Sequence, residues 1–272
     1  MSRRTALCGL LALGLLPAAV TAAAQPAPKG YLVVVGGGGV PDGILKRAIE
    51  LAGGTSAPIV VFPQASKLAD TGDVAVKMWK KAGAKSVRWL PLTDSAIARQ
   101  AVESAAMIWF PGGDQSKLMK AFEGTGVPEV IARRYREGAV VGGTSAGAAV
   151  MSSVMLTGDA DLQSITVGAT KTAPGLGLWP EVIVDQHHLK RQRQSRLISL
   201  VLEHPTRVGV GIDERTAAIV SGRRFDVIGE SSVLVIDARR ATIEPRAPGS
   251  LSAARDVAVH VLTSGMGMEI KN

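Results

Sequence analysis

A pattern of short apolar runs separated by helix-like segments constrains the fold of this chain most strongly. The runs occupy residues 31–35, 58–62, 107–110 and 139–142, and a further strand-like segment that contains one arginine lies at 86–90. A run that is apolar at consecutive positions is typical of a strand buried on both faces of a sheet. Segments with helical character follow at about residues 44–52, 74–82, 94–102, 115–122 and 127–137. This alternation predicts an α/β sandwich of three layers, with a mostly parallel sheet between two layers of helices.

The second half of the chain has a looser pattern. Residues 151–180 contain several glycines and are predicted to form loops that cover a ligand site. A strand at 182–184 ends at Asp185, and a strongly basic helix is predicted over 187–202. Further strands, predicted as antiparallel additions, lie at 208–212, 217–220, 225–228 and 233–236. With 46% hydrophobic residues, the pattern predicts one catalytic domain over residues 25–272.

The N-terminus has the composition of a targeting segment. Arg3 and Arg4 precede an apolar stretch over residues 6–20, and small residues at 22–24 offer a cleavage site before Gln25. The stretch is too short for a stable membrane span. Residues 1–24 are therefore predicted to be a signal peptide, which implies a periplasmic or secreted protein.

Cysteine usage excludes several kinds of site. Cys8 is the only cysteine and lies inside the predicted signal peptide. The mature chain would therefore contain no disulfide, thiol nucleophile or cysteine-based metal site. No histidine, cysteine and aspartate spacing indicates a metal, and no cofactor is expected.

The charge balance favours an acidic partner. The formal net charge is +8, and loss of Arg3 and Arg4 lowers it to +6. Two tyrosines and four phenylalanines leave few rings to stack on bases, so nucleic acid is not an expected partner. The glycine run at residues 36–39 does not match a dinucleotide-binding motif, because Pro41 stands where the third glycine belongs. The run is interpreted as a flexible turn near the substrate.

The sequence Gly-Thr-Ser-Ala-Gly at residues 143–147 indicates a nucleophile. It lies between a predicted strand and a helix-compatible segment, the setting in which a sharp turn exposes a serine hydroxyl. The N–H of Ala146 would then be free to stabilise an oxyanion. The alternative is an ordinary turn whose serine caps a helix. The two glycines before Asp114 offer a second oxyanion donor, and Asp114 is also a candidate helix cap.

A serine nucleophile requires a base and an orienting carboxylate. His187 and His188 follow the strand at 182–184, and residue order alone does not choose between them. Asp213 and Glu214 end another strand and leave the same ambiguity. The nearby basic cluster forms either a solvated helix face or a carboxylate-binding surface; it consists of Lys190, Arg191, Arg193 and Arg196.

Four motifs stand in the order found in cyanophycinases, which are serine peptidases of the S51 type related to aspartyl dipeptidase. They cover residues 112–115, 143–148, 185–187 and 211–214. The resemblance extends over residues 31–236. It implies a flavodoxin-like sandwich related to class I glutamine amidotransferase domains. It also assigns roles: catalysis to Ser145, His187 and Glu214; the oxyanion hole to Gly113 and Ala146; substrate binding to Gln115, Asp185, Gln186, Arg191, Arg193 and Arg196.

The resemblance also implies a substrate. Cyanophycin is a poly-aspartate chain with an arginine on each β-carboxyl group, and family enzymes release β-Asp-Arg dipeptides from its end. The chain is thus expected to be an exported serine exopeptidase that acts on cyanophycin or β-aspartyl peptides. His188, Lys190 and Gln192 depart from the residues expected in that family. The alternatives are an aspartyl dipeptidase, another serine hydrolase on the same fold, or a non-catalytic periplasmic binding protein. A homodimer is compatible with each.

Overall fold

The first half of the chain builds the centre of the structure. The computed structural model describes residues 27–158 and 160–271, so the predicted signal peptide lies outside the described residues. In chain order the elements are β1 (Tyr31–Val35), α1 (Asp42–Leu51), β2 (Ile59–Val61), α2 (Thr71–Lys81), β3 (Val87–Trp89), α3 (Ser95–Glu103), β4 (Met107–Phe110), α4 (Gln115–Phe122), α5 (Val127–Glu137), β5 (Val140–Thr144) and α6 (Ala146–Ala149). The predicted alternation of strands and helices is confirmed.

The second half adds mostly strands. They are β6 (Val154–Leu156), β7 (Thr172–Pro174), β8 (Val182–Gln186), α7 (Gln194–Glu203), β9 (Val208–Ile212), β10 (Thr216–Ser221), β11 (Arg224–Gly229), β12 (Ser232–Asp237), β13 (Thr242–Glu244), β14 (Ala253–Arg255), β15 (Ala258–Thr263) and β16 (Gly267–Glu269). The strands β6 and β7 pair within the segment that was predicted to be loops.

An eight-stranded sheet has the order β16-β11-β10-β1-β5-β4-β2-β3. The strands from β1 to β3 in this order pair in parallel, whereas β10, β11 and β16 pair antiparallel at one side. The predicted mostly parallel sheet is therefore confirmed. Parallel strands end at the same edge, so β1, β4 and β5 bring their following loops together.

The layers follow from the side-chain alternation along each strand. In β1, Leu32 and Val34 pack in a core shared with helices α3, α4 and α5, whereas Val33 and Val35 pack with α1 and α2 on the opposite face. Successive side chains of a strand point to opposite faces. A strand buried on both faces must therefore be apolar at every position, which explains the continuous apolar runs.

A second sheet of four strands, in the order β15-β12-β9-β8, carries the loops that contain the histidines and carboxylates. The prediction of antiparallel additions holds for β12 on β9 but is wrong for β9 on β8, which pair in parallel. The parallel pairing aligns Gln186 with Ile212, so the segments after these two strands begin side by side.

The basic helix begins later than predicted. Helix α7 starts at Gln194 rather than at residue 187, because positive φ angles at His187 (50°) and Gln192 (52°) interrupt the helical backbone. A carboxylate oxygen of Asp213 accepts the N–H groups of Leu189 (3.1 Å) and Lys190 (2.9 Å), which fixes the intervening loop. Within residues 27–158 and 160–271, no helix has the length and apolarity needed to cross a membrane.

Candidate active site

The two glycines of the serine turn are required by close backbone contacts. A Cβ on Gly143 would lie 2.7 Å from the Cα of Gly147, and a Cβ on Gly147 would lie 2.7 Å from the Cβ of Phe110. Neither position has room for a side chain. Ser145, at the apex, has φ 54° and ψ −111°, outside the regions that L-residues normally occupy. Such strain is typical of functional turns, and here it places the serine between β5 and α6.

Three predicted residues form an unbroken chain of hydrogen bonds. The Nε2 atom of His187 lies 2.9 Å from the Oγ of Ser145, and its Nδ1 lies 2.6 Å from an Oε1 of Glu214. Ser145 follows β5, His187 follows β8, and Glu214 follows β9. The two sheets thus meet at these three hydrogen-bonded residues. Because a carboxylate only accepts hydrogen bonds, Glu214 places the proton on Nδ1 and leaves Nε2 to accept from the serine hydroxyl.

The surroundings of His187 favour its neutral form. Burial lowers the pKa of His187, and the positive charges of Arg191 and Arg193 lower it further, while the hydrogen bond and charge of Glu214 oppose them. The net shift is downward from the ordinary value of 6.5. A neutral imidazole is the form that accepts a proton from serine, so the site keeps this base ready at neutral pH.

The glycine run after β1 packs directly against this chain of residues. A Cβ on Gly37 would lie 2.8 Å from Nδ1 of His187 and closer still to Cε1 and Nε2. A Cβ on Gly38 would lie 2.6 Å from both the Cβ and an Oε2 of Glu214. The Gly36 carbonyl also accepts the N–H of His187 at 2.7 Å. The run therefore forms a wall behind the base and its carboxylate, a role that the interpretation as a flexible turn missed.

The neighbouring alternatives have other contacts. His188 is fully buried, and its Nδ1 lies 3.0 Å from an Oδ2 of Asp185. Asp213 binds the loop after β8 and accepts the hydroxyl of Ser231 at 2.8 Å. Burial would raise the pKa of Asp213, but these hydrogen bonds outweigh burial and the pKa lies below its ordinary value. Neither residue hydrogen-bonds to Ser145.

The predicted oxyanion donors border the serine. A Cβ on Gly112 would lie 3.8 Å from the Oγ of Ser145, so the loop after β4 runs past the hydroxyl. Neither the N–H of Gly113 nor that of Ala146 donates a hydrogen bond to a described residue. The Ala146 amide is free because the first N–H groups of a helix have no partner inside it. The carboxylate of Asp114 meanwhile caps α4 by accepting the N–H groups of Ser116 and Lys117.

A cavity of about 430 Å³ opens from the serine. Its lining includes five of the predicted substrate-binding residues: Gln115, Gln186, Arg191, Arg193 and Arg196. It also includes Asp114 and, from the segment after β6, Thr157 and Gly158. Residues 151–180 were predicted to cover the site, and these two residues of that segment line the cavity. Burial lowers the pKa of Arg193 to about 10. The positive charges of Arg196 and Arg191 also lower this pKa, whereas the negative charge of Asp185 opposes the shift. The guanidinium therefore stays protonated at neutral pH.

Two glutamines fix the cavity wall. The amide nitrogen of Gln115 donates to the carbonyl of Leu156 at 2.8 Å, which ties α4 to the end of β6. Gln186 accepts twice from the Nη1 of Arg193, at its carbonyl and at its side-chain oxygen, both at 2.8 Å. These contacts hold Arg193 beside the serine.

Asp185, the sixth predicted substrate-binding residue, is not among the cavity-lining residues. Its side chain is fully buried and pairs with Arg196, whose own side chain is 2% exposed. Of the two alternatives for the basic cluster, a solvated helix face therefore does not apply to Arg196. Among residues 27–158 and 160–271, no group of histidine, cysteine or acidic side chains is arranged to hold a metal ion.

The chain is similar in sequence and in fold to known proteins. Residues 32–228 match the sequence profile of peptidase family S51. Cyanophycinase of Geminocystis herdmanii is 37% identical over 227 residues, which cover 80% of this chain and 83% of that protein. Cyanophycinase of Trichormus variabilis is 38% identical over 202 residues, covering 71% and 68% of the two chains. The crystal structure of a peptidase from an acI-B1 actinobacterium superposes with a TM-score of 0.66 at 22% identity, covering 90% of this chain and 99% of that one.

The matched profile covers well over half of the chain, and the relatives are aligned over most of their own length. The fold is accordingly the flavodoxin-like sandwich related to class I glutamine amidotransferases. The chain belongs to peptidase family S51 and is a serine-type peptidase.

Proposed function

We propose that this enzyme hydrolyses cyanophycin or β-aspartyl peptides to β-Asp-Arg dipeptides through an acyl-enzyme. One observation carries the proposal: the hydrogen-bonded chain from Glu214 through His187 to Ser145 opens into a cavity lined by three arginines. Arginine binds carboxylates through a planar fork, and cyanophycin presents a carboxylate on every arginine unit. The names of the relatives support the same substrate.

The first chemical step is the attack of Ser145 on the scissile carbonyl. As the Oγ–C bond forms, Nε2 of His187 takes the hydroxyl proton, and Glu214 stabilises the resulting imidazolium. The imidazolium then gives this proton to the departing amine as the C–N bond breaks. The product is an ester on Ser145 and a free amine. Water, deprotonated by the same imidazole, hydrolyses the ester and restores the serine hydroxyl.

Negative charge develops on the carbonyl oxygen during both attacks. We assign its stabilisation to the N–H groups of Gly113 and Ala146, because both lack an acceptor among the described residues and their loops flank Ser145. Removal of one such donor generally costs about 10²- to 10³-fold in kcat.

Substrate recognition is assigned to the cavity wall. Among the described residues, no carboxylate pairs with Arg191 or Arg193, so their charges are available for substrate carboxylates. Gln115 and Gln186 line the cavity and hold this wall in place. Asp114 is the acidic residue of the described lining, and no described residue bonds to its Oδ2. We therefore propose that Asp114 binds the arginine side chain of the substrate.

Digestion of purified cyanophycin by the mature protein tests this proposal, with product masses as the readout and Ser145→Ala as the control. Release of β-Asp-Arg by the wild type alone is the expected result. Intact polymer together with rapid cleavage of Asp-X dipeptides would instead make the enzyme an aspartyl dipeptidase.

We further propose that the protein is exported, on the strength of the signal-like composition of residues 1–24. Fractionation of cells that express the full chain should recover a form shortened by about 24 residues outside the cytoplasm. A full-length cytoplasmic product would contradict export without affecting the peptidase assignment.

A further inference from the structure

The carboxylate of Asp185 is saturated by contacts with the protein itself. Its Oδ1 accepts the N–H of Gln186 at 2.9 Å and the Nη2 of Arg196. Its Oδ2 accepts the Nε of Arg196 at 3.2 Å and the Nδ1 of His188 at 3.0 Å. A carboxylate offers about four acceptor sites. The four donors fill them, so Asp185 has no acceptor left for a substrate.

Charge and burial support the same conclusion. Burial alone would raise the pKa of Asp185, but the hydrogen bond from His188 and the charge of Arg196 outweigh burial, and the pKa lies below its ordinary value. Asp185 is therefore ionised and neutralises Arg196. An uncompensated buried charge is costly, so this pair is needed to keep a guanidinium at that depth.

The pair leaves one edge of Arg196 for the cavity. Asp185 engages Nε and Nη2, whereas no described residue accepts a hydrogen bond from Nη1. Arg196 lines the cavity beside Ser145, and the side chains of His188 and Asp185 lie behind it, both fully buried. Gly211 makes room for the imidazole, because a Cβ there would lie 2.6 Å from Nε2 of His188.

We propose that Asp185 and His188 are positioning residues, which hold Arg196 so that Nη1 donates to one substrate carboxylate. His188 fixes the rotation of the Asp185 carboxylate, and the carboxylate fixes the plane of the guanidinium. Because Asp185 neutralises its charge, Arg196 contributes a hydrogen-bond donor in a fixed direction. Arg191 and Arg193 contribute the positive charge that attracts the substrate carboxylates. The inference rests on the proposed function only for the identity of the carboxylate.

Steady-state kinetics of His188 variants on a β-aspartyl-arginine peptide test this inference. His188→Phe keeps a planar ring and removes the donor, so KM should rise on the order of three- to tenfold while kcat stays within about twofold. His188→Asn places an amide donor near the former Nδ1 and should restore most of the affinity. Should His188→Phe fail to fold, His188→Gln, whose amide reaches past Nδ1, takes its place.

The decisive comparison adds Arg196→Gln. If His188 acts through Arg196, His188→Phe has no further effect on KM in the Arg196→Gln background. The rate at which an uncharged phosphonate labels Ser145 should be the same in His188→Phe as in the wild type, because the probe has no carboxylate for Arg196 to bind. A full additional loss in the double variant, or a parallel fall of kcat and labelling, would overturn the inference.

Failure of the proposed function gives a different pattern. If the wild type cleaves no β-aspartyl peptide, the crystal structures of wild type and His188→Phe decide the question. A displaced Arg196 guanidinium would support the positioning role, and an unmoved one would refute it.

Discussion

Replacement of Gly37 by alanine should disable the catalytic histidine without unfolding the protein. A Cβ at this position would lie 2.8 Å from Nδ1 of His187 and nearer to Cε1 and Nε2. Non-bonded carbon and nitrogen atoms need about 3.5 Å, so the imidazole must move by roughly 1 Å. The movement would break the bond of 2.9 Å between Nε2 and the hydroxyl of Ser145.

A misplacement of about 1 Å in a catalytic group costs on the order of 10²-fold in rate, or about 2.7 kcal/mol of transition-state stabilisation. Gly37 has φ 108°, so alanine there also strains the backbone, by about 1–2 kcal/mol. The strain acts on stability and the contact acts on catalysis. The two effects are therefore separable by a control that has the strain without the contact.

Gly39 supplies this control. Its φ is 95°, and the atom nearest to an added Cβ is Nη1 of Arg215 at 3.6 Å, an ordinary contact distance. Gly39→Ala should lower the unfolding midpoint in urea through the same backbone strain, and Gly37→Ala should lower it at least as much because it also displaces the imidazole. The assay is kcat/KM per folded enzyme, together with the labelling rate of Ser145 by a phosphonate. Equal losses of activity in the two variants would refute the steric argument.

Three further results are expected. In a pH–rate profile, the acid limb of kcat/KM should have its midpoint below pH 6.5, because the pKa of His187 is lowered. Arg191→Gln removes a positive charge that lowers this pKa, so the midpoint should move to higher pH. Asp114→Asn keeps the cap on α4, since asparagine caps as well as aspartate, so a rise in KM confined to arginine-containing peptides would support its role and an unchanged KM would contradict it. Trp79→Ala, at a fully buried indole packed edge-on against Trp109 at 5.0 Å, should lower the unfolding free energy by about 3–5 kcal/mol in urea titrations while kcat of the folded enzyme is unchanged.

The centre of the large sheet was predictable because β1, β2 and β4 are buried on both faces and are apolar at every position. The pairing of β9 with β8 was not predictable, since each reads as a short apolar strand and nothing local specifies its neighbour. The start of α7 was misjudged for a related reason. The residues from His187 to Arg193 have helical composition, but Asp213, a residue far along the chain, binds the N–H groups of Leu189 and Lys190 and holds the segment in another conformation.

Within the site, local sequence was enough to indicate Ser145, because its motif is typical of a sharp turn between a strand and a helix. The choice of His187 over His188 needed more, since a single backbone turn at φ 50° decides which ring faces the serine. The glycine run gave no sign of its role, because Gly37 contacts a residue 150 positions later in the chain and Gly38 contacts one 176 positions later. Likewise, the pairing of Asp185 with Arg196 depends on the packing of α7 on the second sheet.

The most direct test of the central claim, that His187 and Glu214 activate Ser145 as the nucleophile, is the intact mass of the protein after treatment with a fluorophosphonate. The account predicts one added phosphonyl group on the wild type, mapped by peptide sequencing to Ser145. It predicts none on Ser145→Ala and a labelling rate at least about 10²-fold lower for His187→Ala. An unlabelled wild-type protein, or equal labelling of His187→Ala, would contradict it.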